Sequence, residues 1–264
     1  MSAPTTAAPS AAEVAAHLDA LLSTATVPDY PTALNGLQLA NRSPIRRVAA
    51  AVDFSRRTIE GAIAADANLL VVHHGMFWGG VQPLVGYAYE RLRLLLEHDV
   101  AVYASHIPLD LHPELGNNVL LARALQLEPD GGFGQYKGVT IGVQGACDLP
   151  TSTLVERAAA FAREHGGLAL SSAHEPARRT RRWAISTGAT GTSDSIREAR
   201  AAGVDTFICG EGPHHSAVEA PEHDLVIVYA GHYATETLGV QALARHLEAE
   251  FGLPWTFVAA PTGL

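Results

Sequence analysis

The chain has almost no cysteine: among its 264 residues only Cys147 and Cys209 occur, far apart and outside any CxxC pattern. That argues against a disulfide framework or a thiolate metal cage and fits a reducing, cytoplasmic setting. Basic residues are scarce as well. Eighteen Lys and Arg stand against 27 Asp and Glu, a net charge of -9. A nucleic-acid surface built on many phosphate contacts is therefore not expected, although small anionic ligands are allowed. No window reaches the roughly 18 apolar residues of a membrane span. The opening MSAPTTAAPSAA lacks both the basic start and the apolar stretch of a signal peptide, so residues 1–12 read as a frayed tail. There is no GxSxG for a serine hydrolase. The glycines of ISTGATGTSDS precede a helix without the Lys-Ser/Thr of a nucleotide phosphate loop.

What is present is a well-stocked core, with 47% hydrophobic residues, arranged in two alternating patterns. Helical spacing marks AEVAAHLDALLS, RTIEGAIAADA and residues 87–97, roughly 114–127, 151–165, 193–202 and 235–251. Apolar runs in RRVAAAVDF, LLVVHHG, VAVYASH, RRWAISTG, TFICG and LVIVYAGH predict strands covered on both faces. Asn35-Gly36 reads as a tight turn, EPDGGFGQYKG as a link, and GVTIGVQGACDLP as a strand pair with a turn. The class is α/β with mixed sheets, and the polar strand ends fall at the carboxyl edge where ligands usually bind.

The same unit is written twice. TIEGAIAADANLLVVHHG, residues 58–75, aligns without a gap on SIREARAAGVDTFICGEG, residues 195–212. Further on, AVYASHIPLD from Ala101 to Asp110 aligns with IVYAGHYATE, so that His106 falls on His232 and Asp110 on Glu236. Two structurally repeated α/β lobes are expected, 13–128 and 138–264. Their elements can be exchanged between lobes, and a metal site is expected in the cleft between them.

Several side chains have the chemistry for such a site. His73-His74 ends the most apolar strand. Neighbours on a strand point to opposite faces, so both reach one site only if the chain turns, as Gly75 permits, or if two metals lie alongside. A core or surface histidine pair is the alternative. Asp110 follows its strand by a short loop in which Pro108 prevents helix continuation and leaves the carboxylate free to turn back; a helix cap before ELGNN is the bland reading. His232 and Glu236 meet if a helix begins near His232. Together His73, His74, Asp110, His232 and Glu236 make a nitrogen and oxygen set suited to two divalent ions, with zinc, iron and manganese all fitting. Two carboxylates neutralise only part of that charge, which leaves room for hydroxide and an anionic substrate, the setting of metal-assisted hydrolysis. His106 is left over, to hydrogen-bond a ligand or substrate or to act as general acid. Glu211 matches His74 in the repeat and either faces the same cleft or is a surface carboxylate. His214 and His215 read as loop residues near the site, and Cys209 as a small buried hydrophobe.

NGLQ, VVHHGMFWGG, SHIPLDLHPELGNN, CGEGPHH and GHYATETLGVQAL occur in this order. With them the chain resembles the NGG1-interacting-factor-like family of dinuclear metal center proteins, also known as type 2 GTP cyclohydrolase-like, over about residues 13–260. The resemblance implies two intertwined α/β repeats and a dinuclear site on His73, His74, Asp110, His232 and Glu236. It also implies assembly as a toroidal hexamer and hydrolytic ring opening of GTP, or action on another nucleotide or phosphorylated small molecule. Gly75 stands where the family usually has Pro, and SHIPLD where it has SHTNLD, which bears on loop shape rather than on the ligands. The short link leaves no room for the domain that some relatives insert between the repeats. A second reading is a noncatalytic metal-binding scaffold or metal-handling interaction protein.

Overall fold

A computed structural model describes residues 8–173 and 175–264. In chain order the elements begin α1 (Ala11–Leu21), β1 (Gly36–Leu39), β2 (Val48–Asp53), α2 (Arg56–Ala64), β3 (Leu69–His74), α3 (Gly86–Glu97), β4 (Ala101–Ala104), α4 (Ile107–Asp110) and α5 (Asn117–Ala124). They continue β5 (Gly131–Tyr136), β6 (Val139–Pro150), α6 (Thr151–Glu164), β7 (Leu170–Ser171), β8 (Arg179–Ser186), α7 (Ser193–Ala201), β9 (Thr206–Cys209), α8 (His214–Glu222), β10 (Val226–Tyr229), α9 (His232–Thr235), α10 (Thr237–Phe251) and β11 (Trp255–Phe257). The chain forms two compact units, Met1–Pro108 with Val240–Ala260, and Leu109–Gly239 with Pro261–Leu264. It is an α/β protein with two mixed sheets.

The sheet of the first unit has the order β1-β4-β3-β2-β11. β4, β3, β2 and β11 are parallel, and β1 pairs antiparallel on the edge of β4. The strands are apolar without alternation because both faces are covered. Ala49, Ala51, Leu70, Val72 and Val102 pack with Ile59 and Ala62 of α2 and Leu95 of α3, while Ala50, Leu69, Val71 and Tyr103, pointing the other way, are buried too. The sheet of the second unit has the order β5-β6-β8-β9-β10-β7, with β8, β9 and β10 parallel and β7 antiparallel on the edge of β10. One face carries Trp183, Ile185, Ile208 and Val228 against Leu121, Leu125, Leu154 and Phe161 of α5 and α6. The other carries Ala184, Phe207 and Ile227 against Ile196, Ala199 and Ala220 of α7 and α8.

Several expectations need correction. The first seven residues of the expected tail lie outside the described residues, and its last two are already helical. Ser10 and Glu13 form a capping box that starts α1 at Ala11. EPDGGFGQYKG is no simple link: it supplies β5, which turns into β6 through Lys137 and Gly138, both at positive φ (45° and 88°). Two such residues in succession suit a tight hairpin. β6 is one strand with a register irregularity between Ala146 and Leu149, in place of a strand pair with a turn. Pro108 does not prevent a helix; it sits in the first turn of α4, where a missing N–H costs nothing. His214 and His215 open helix α8 rather than lying in a loop.

The packing of the first unit can be tested at two places. Leu95 is the one buried residue of α3 and is fully enclosed. Leu95→Ala should therefore cost about 2–5 kcal/mol in denaturant unfolding. His17 on α1 and His246 on α10 are 2.8 Å apart, Nε2 to Nε2, a contact that needs one of them to accept. Burial and then the neighbouring His17 charge hold the His246 pKa below its ordinary value, against a smaller opposite pull from Glu250. A depressed histidine pKa gives stability that is full above the unfolded value of about 6.5 and is lost as the pH falls below it. Melting curves across that range should show His246→Gln losing less stability than wild type on acidification.

Candidate metal centre

The parallel strands of the first unit all end at one edge. β2 ends in Asp53, β3 in His73 and His74, and β4 leads into Ser105 and His106. His73 and His74 are 1% and 6% exposed, so neither is a surface residue. The Nδ1 of His73 lies 2.9 Å from the Ser105 carbonyl oxygen. That of His74 is 2.8 Å from Asp53 Oδ1, and that of His106 is 2.9 Å from Asp29 Oδ1. A carbonyl or carboxylate oxygen only accepts, so in each ring Nδ1 carries the donated proton and Nε2 is the basic nitrogen. Each of the three rings offers a ligand nitrogen within 4.8 Å of the other two. The centroids are 4.9 Å apart for His73 and His74, 4.9 Å for His73 and His106, and 5.6 Å for His74 and His106.

Two loops hold this edge in place. A Cβ on Gly75 would stand 2.4 Å from the Gln38 amide and 2.7 Å from Ala104 Cβ, so the glycine is required for close approach as the chain leaves β3. Gln38 accepts from the Met76 amide at 2.6 Å and donates to the carbonyls of Ala33 and Leu34. Asn35 is not merely a turn residue. Its Oδ1 accepts from the His106 amide at 2.7 Å and its Nδ2 donates to Asp29 at 2.8 Å. Burial would push the Asp29 carboxyl up, but His106, Asn35 and the Tyr30 amide outweigh it and hold the pKa below the usual carboxylate range.

In the second unit the carboxyl edge carries Glu211 after β9 and His232 after β10. His232 opens α9, and the single turn brings Glu236 Oε2 to 3.2 Å from its Nε2, while Glu211 Oε1 takes Nδ1 at 2.8 Å. Burial lowers the His232 pKa, yet the hydrogen bonds and charges of Glu236 and Glu211 prevail and raise it to about 9. These carboxylates thus demand a positive charge between them, which the imidazolium supplies and a cation could. Gly188, at φ +68°, lies so close that a Cβ would be 2.3 Å from Glu236 Oε1. This gives the glycine-rich ISTGATGTSDS a steric role beside Glu236. Asp110 ends α4, and its Oδ1 accepts from Asn117 at 2.8 Å, while Asn117 Oδ1 accepts from the Gly239 amide at 2.7 Å. Cys209 is fully buried; burial, then the Glu211 charge, pushes its thiol pKa up, which makes it no nucleophile.

The family model described as Duf34/NIF3 (NGG1p interacting factor 3) matches residues 9–262. The chain belongs to this family. Among its relatives, a Deinococcus radiodurans protein named GTP cyclohydrolase 1 type 2 homolog is 41% identical over 242 residues, covering 89% of this chain and 88% of that one. The solved structure of the protein ybgI, of unknown function, superposes with a TM-score of 0.86 at 30% identity, covering 97% of this chain and all of the other (100%). A Thermus thermophilus protein of known crystal structure gives 0.81 at 35% identity, with coverage of 97% and 100%. This Duf34/NIF3 member thus carries two candidate metal-holding groups of buried histidine and glutamate. Asp29, Asn35, Gln38 and Asp53 brace the first of them, and Asn117 holds Asp110; the sequence by itself placed none of these five side chains at the site. Asp53 had a signal of the same kind as His74, a polar residue ending an apolar strand.

Replacing an oxygen that orients a metal-binding histidine typically weakens metal binding about 10–100-fold. Asp53→Asn and Glu211→Gln should each do so when zinc affinity is measured by competition with a chromogenic chelator. Wild-type affinity in both variants would remove these carboxylates from any role at a metal site.

Proposed function

We propose that this Duf34/NIF3 member is a metal-dependent hydrolase. It holds two divalent ions, zinc, iron or manganese, on His73, His74, Asp110, His232 and Glu236, and acts on a small anionic molecule such as a nucleotide or other phosphorylated compound. The observation that carries the proposal is the shared pattern at the histidines: in His73, His74 and His232 alike, Nδ1 is taken by a fixed oxygen, which orients Nε2 for a metal. The donor set fits, since imidazole and carboxylate together suit these ions and the His232 surroundings already demand positive charge. Bound ions would supply Lewis-acid activation of water and charge stabilisation of a leaving oxygen.

The chain's own residues do the rest. Asp53 and the Ser105 carbonyl keep the His74 and His73 rings from rotating. Asn117 holds the Asp110 carboxylate, and Glu211 holds His232. His106, backed by Asp29 and close to His73 and His74, is placed to hold or move a proton during the reaction. The nucleotide follows the name carried by curated relatives, GTP cyclohydrolase 1 type 2 homolog. The two units read as intertwined copies of one ancestral unit, supported by the same succession in each of helix, edge strand and three parallel strands with helical crossovers. No helix among the described residues is long and apolar enough to cross a membrane. Assembly as a toroidal hexamer goes with the family, and the exposed Leu168 and Leu170 at edge strand β7 support association of copies.

Elemental analysis of protein purified without chelator should find about two first-row ions per chain, and markedly less in the His74→Ala, Glu236→Ala double variant. A panel of nucleotides and phosphoesters should then reveal a turnover that requires the metal and disappears in Asp110→Ala. Metal bound as expected with no turnover across the panel would favour the noncatalytic scaffold.

A further inference from the structure

Beside the histidine cluster, within the first unit, lies a cavity of about 450 Å³ whose walls include Phe54, Phe77, Trp78, Leu84, Tyr87 and Arg91. That volume is in the range of small-molecule sites, about 300–1,000 Å³. Trp78 is the wall shared with the cluster, its ring centroid 4.7 Å from that of His74 and 4.5 Å from that of His106. Val81, Leu84 and Tyr87 are 95%, 60% and 64% exposed, so the cavity opens through apolar side chains that the fold itself leaves uncovered.

Arg91 is the one charged residue of the lining. Its guanidinium carbon lies 5.0 Å from the Phe54 ring centroid and 4.8 Å from that of Tyr87, so the planar fork is held by two aromatic rings. Its hydrogen bonding is far from complete. Nη1 reaches the Phe54 carbonyl only at 3.5 Å, Nε is buried without a partner, and no carboxylate among the described residues pairs with it. An arginine that served only to pack α3 would need no such rigid, unneutralised fork. A buried guanidinium donor calls for an acceptor, and a charged acceptor answers best.

We propose that this cavity binds a small molecule made of a flat ring system and one anionic group, a carboxylate, sulfonate or phosphate. The ring lies among Trp78, Phe77 and Tyr87, and the anion sits on Arg91. The metal-centre reading enters only in making such a molecule the substrate; the binding itself needs no metal.

Two fluorescent probes test this: 8-anilinonaphthalene-1-sulfonate and its uncharged counterpart N-phenyl-1-naphthylamine. Each is titrated into the full-length protein as purified and again after chelation. The sulfonate should bind about tenfold tighter than the neutral probe or better, with or without metal. Arg91→Met should abolish that preference and leave the neutral probe within about twofold of wild type. Trp78→Ala should weaken both. Leu84→Glu, a change at an exposed wall residue that spares the core, should weaken the sulfonate selectively and so provides the same test if Arg91→Met fails to fold. Equal affinity for the two probes in wild type, or a preference that survives both Arg91→Met and Leu84→Glu, overturns the proposal. A preference lost on chelation also overturns it, since the anion would then be held by metal. Normal probe binding in a protein that takes up no metal would instead sink the metal-centre reading and leave the cavity standing.

Discussion

A buried imidazole can be a ligand only if its ring is held, because two rotatable bonds and two possible tautomers otherwise scatter its lone pair. In this protein the hydrogen bond from Nδ1 to a fixed oxygen does that holding at His73, His74, His106 and His232. The remaining features can be understood as devices that place those oxygens. Parallel strands buried on both faces bring Asp53, His74 and the Ser105 carbonyl to one edge, in a register that sets Asp53 opposite His74. The loop before β1 returns to give Asp29 to His106. Glycines stand where the backbone must pass against Gln38 and Glu236 without a Cβ.

In each unit three parallel strands end in polar side chains, but the two ends differ. In the first, the strand-end pair His73 and His74 is buried, and the histidine two residues past β4, His106, joins it. In the second, the matching pair is Gly210 and Glu211, and the equivalent histidine, His232, gains Glu236 one helical turn on. Glu211, which matches His74 in the repeat, does not copy its role. It takes the place that Asp29 has beside His106, orienting a ring through Nδ1. The strand edge of the first unit is thus rich in histidine, and that of the second is rich in carboxylates. The second edge carries enough negative charge to keep an imidazole protonated to about pH 9.

Much of this was legible in the residues. Strands without alternation and their polar ends follow from local periodicity, His106 falls on His232 when the two segments are aligned, and the spacing of His232 and Glu236 suits a helical turn if one begins there. The elements that escaped were those whose existence depends on a partner far along the chain. β7 and β11 are two and three residues long and exist only because β10 and β2 offer open edges. β5 is rich in glycine, which has little strand preference, and extends because β6 lies beside it.

By itself, then, the sequence determined the α/β class, the order of the parallel strands' apolar segments and the identity of the strand-end histidines, since these rest on side-chain periodicity along a few consecutive residues. Only the tertiary structure decided which oxygen each imidazole faces. Asp29 and His106 are 77 residues apart, Asp53 and His74 21, and His73 and the Ser105 carbonyl 32. No local pattern encodes such pairs. They arise when strand register and loop return fix distances to within a hydrogen bond, and with them which ring nitrogen is left basic.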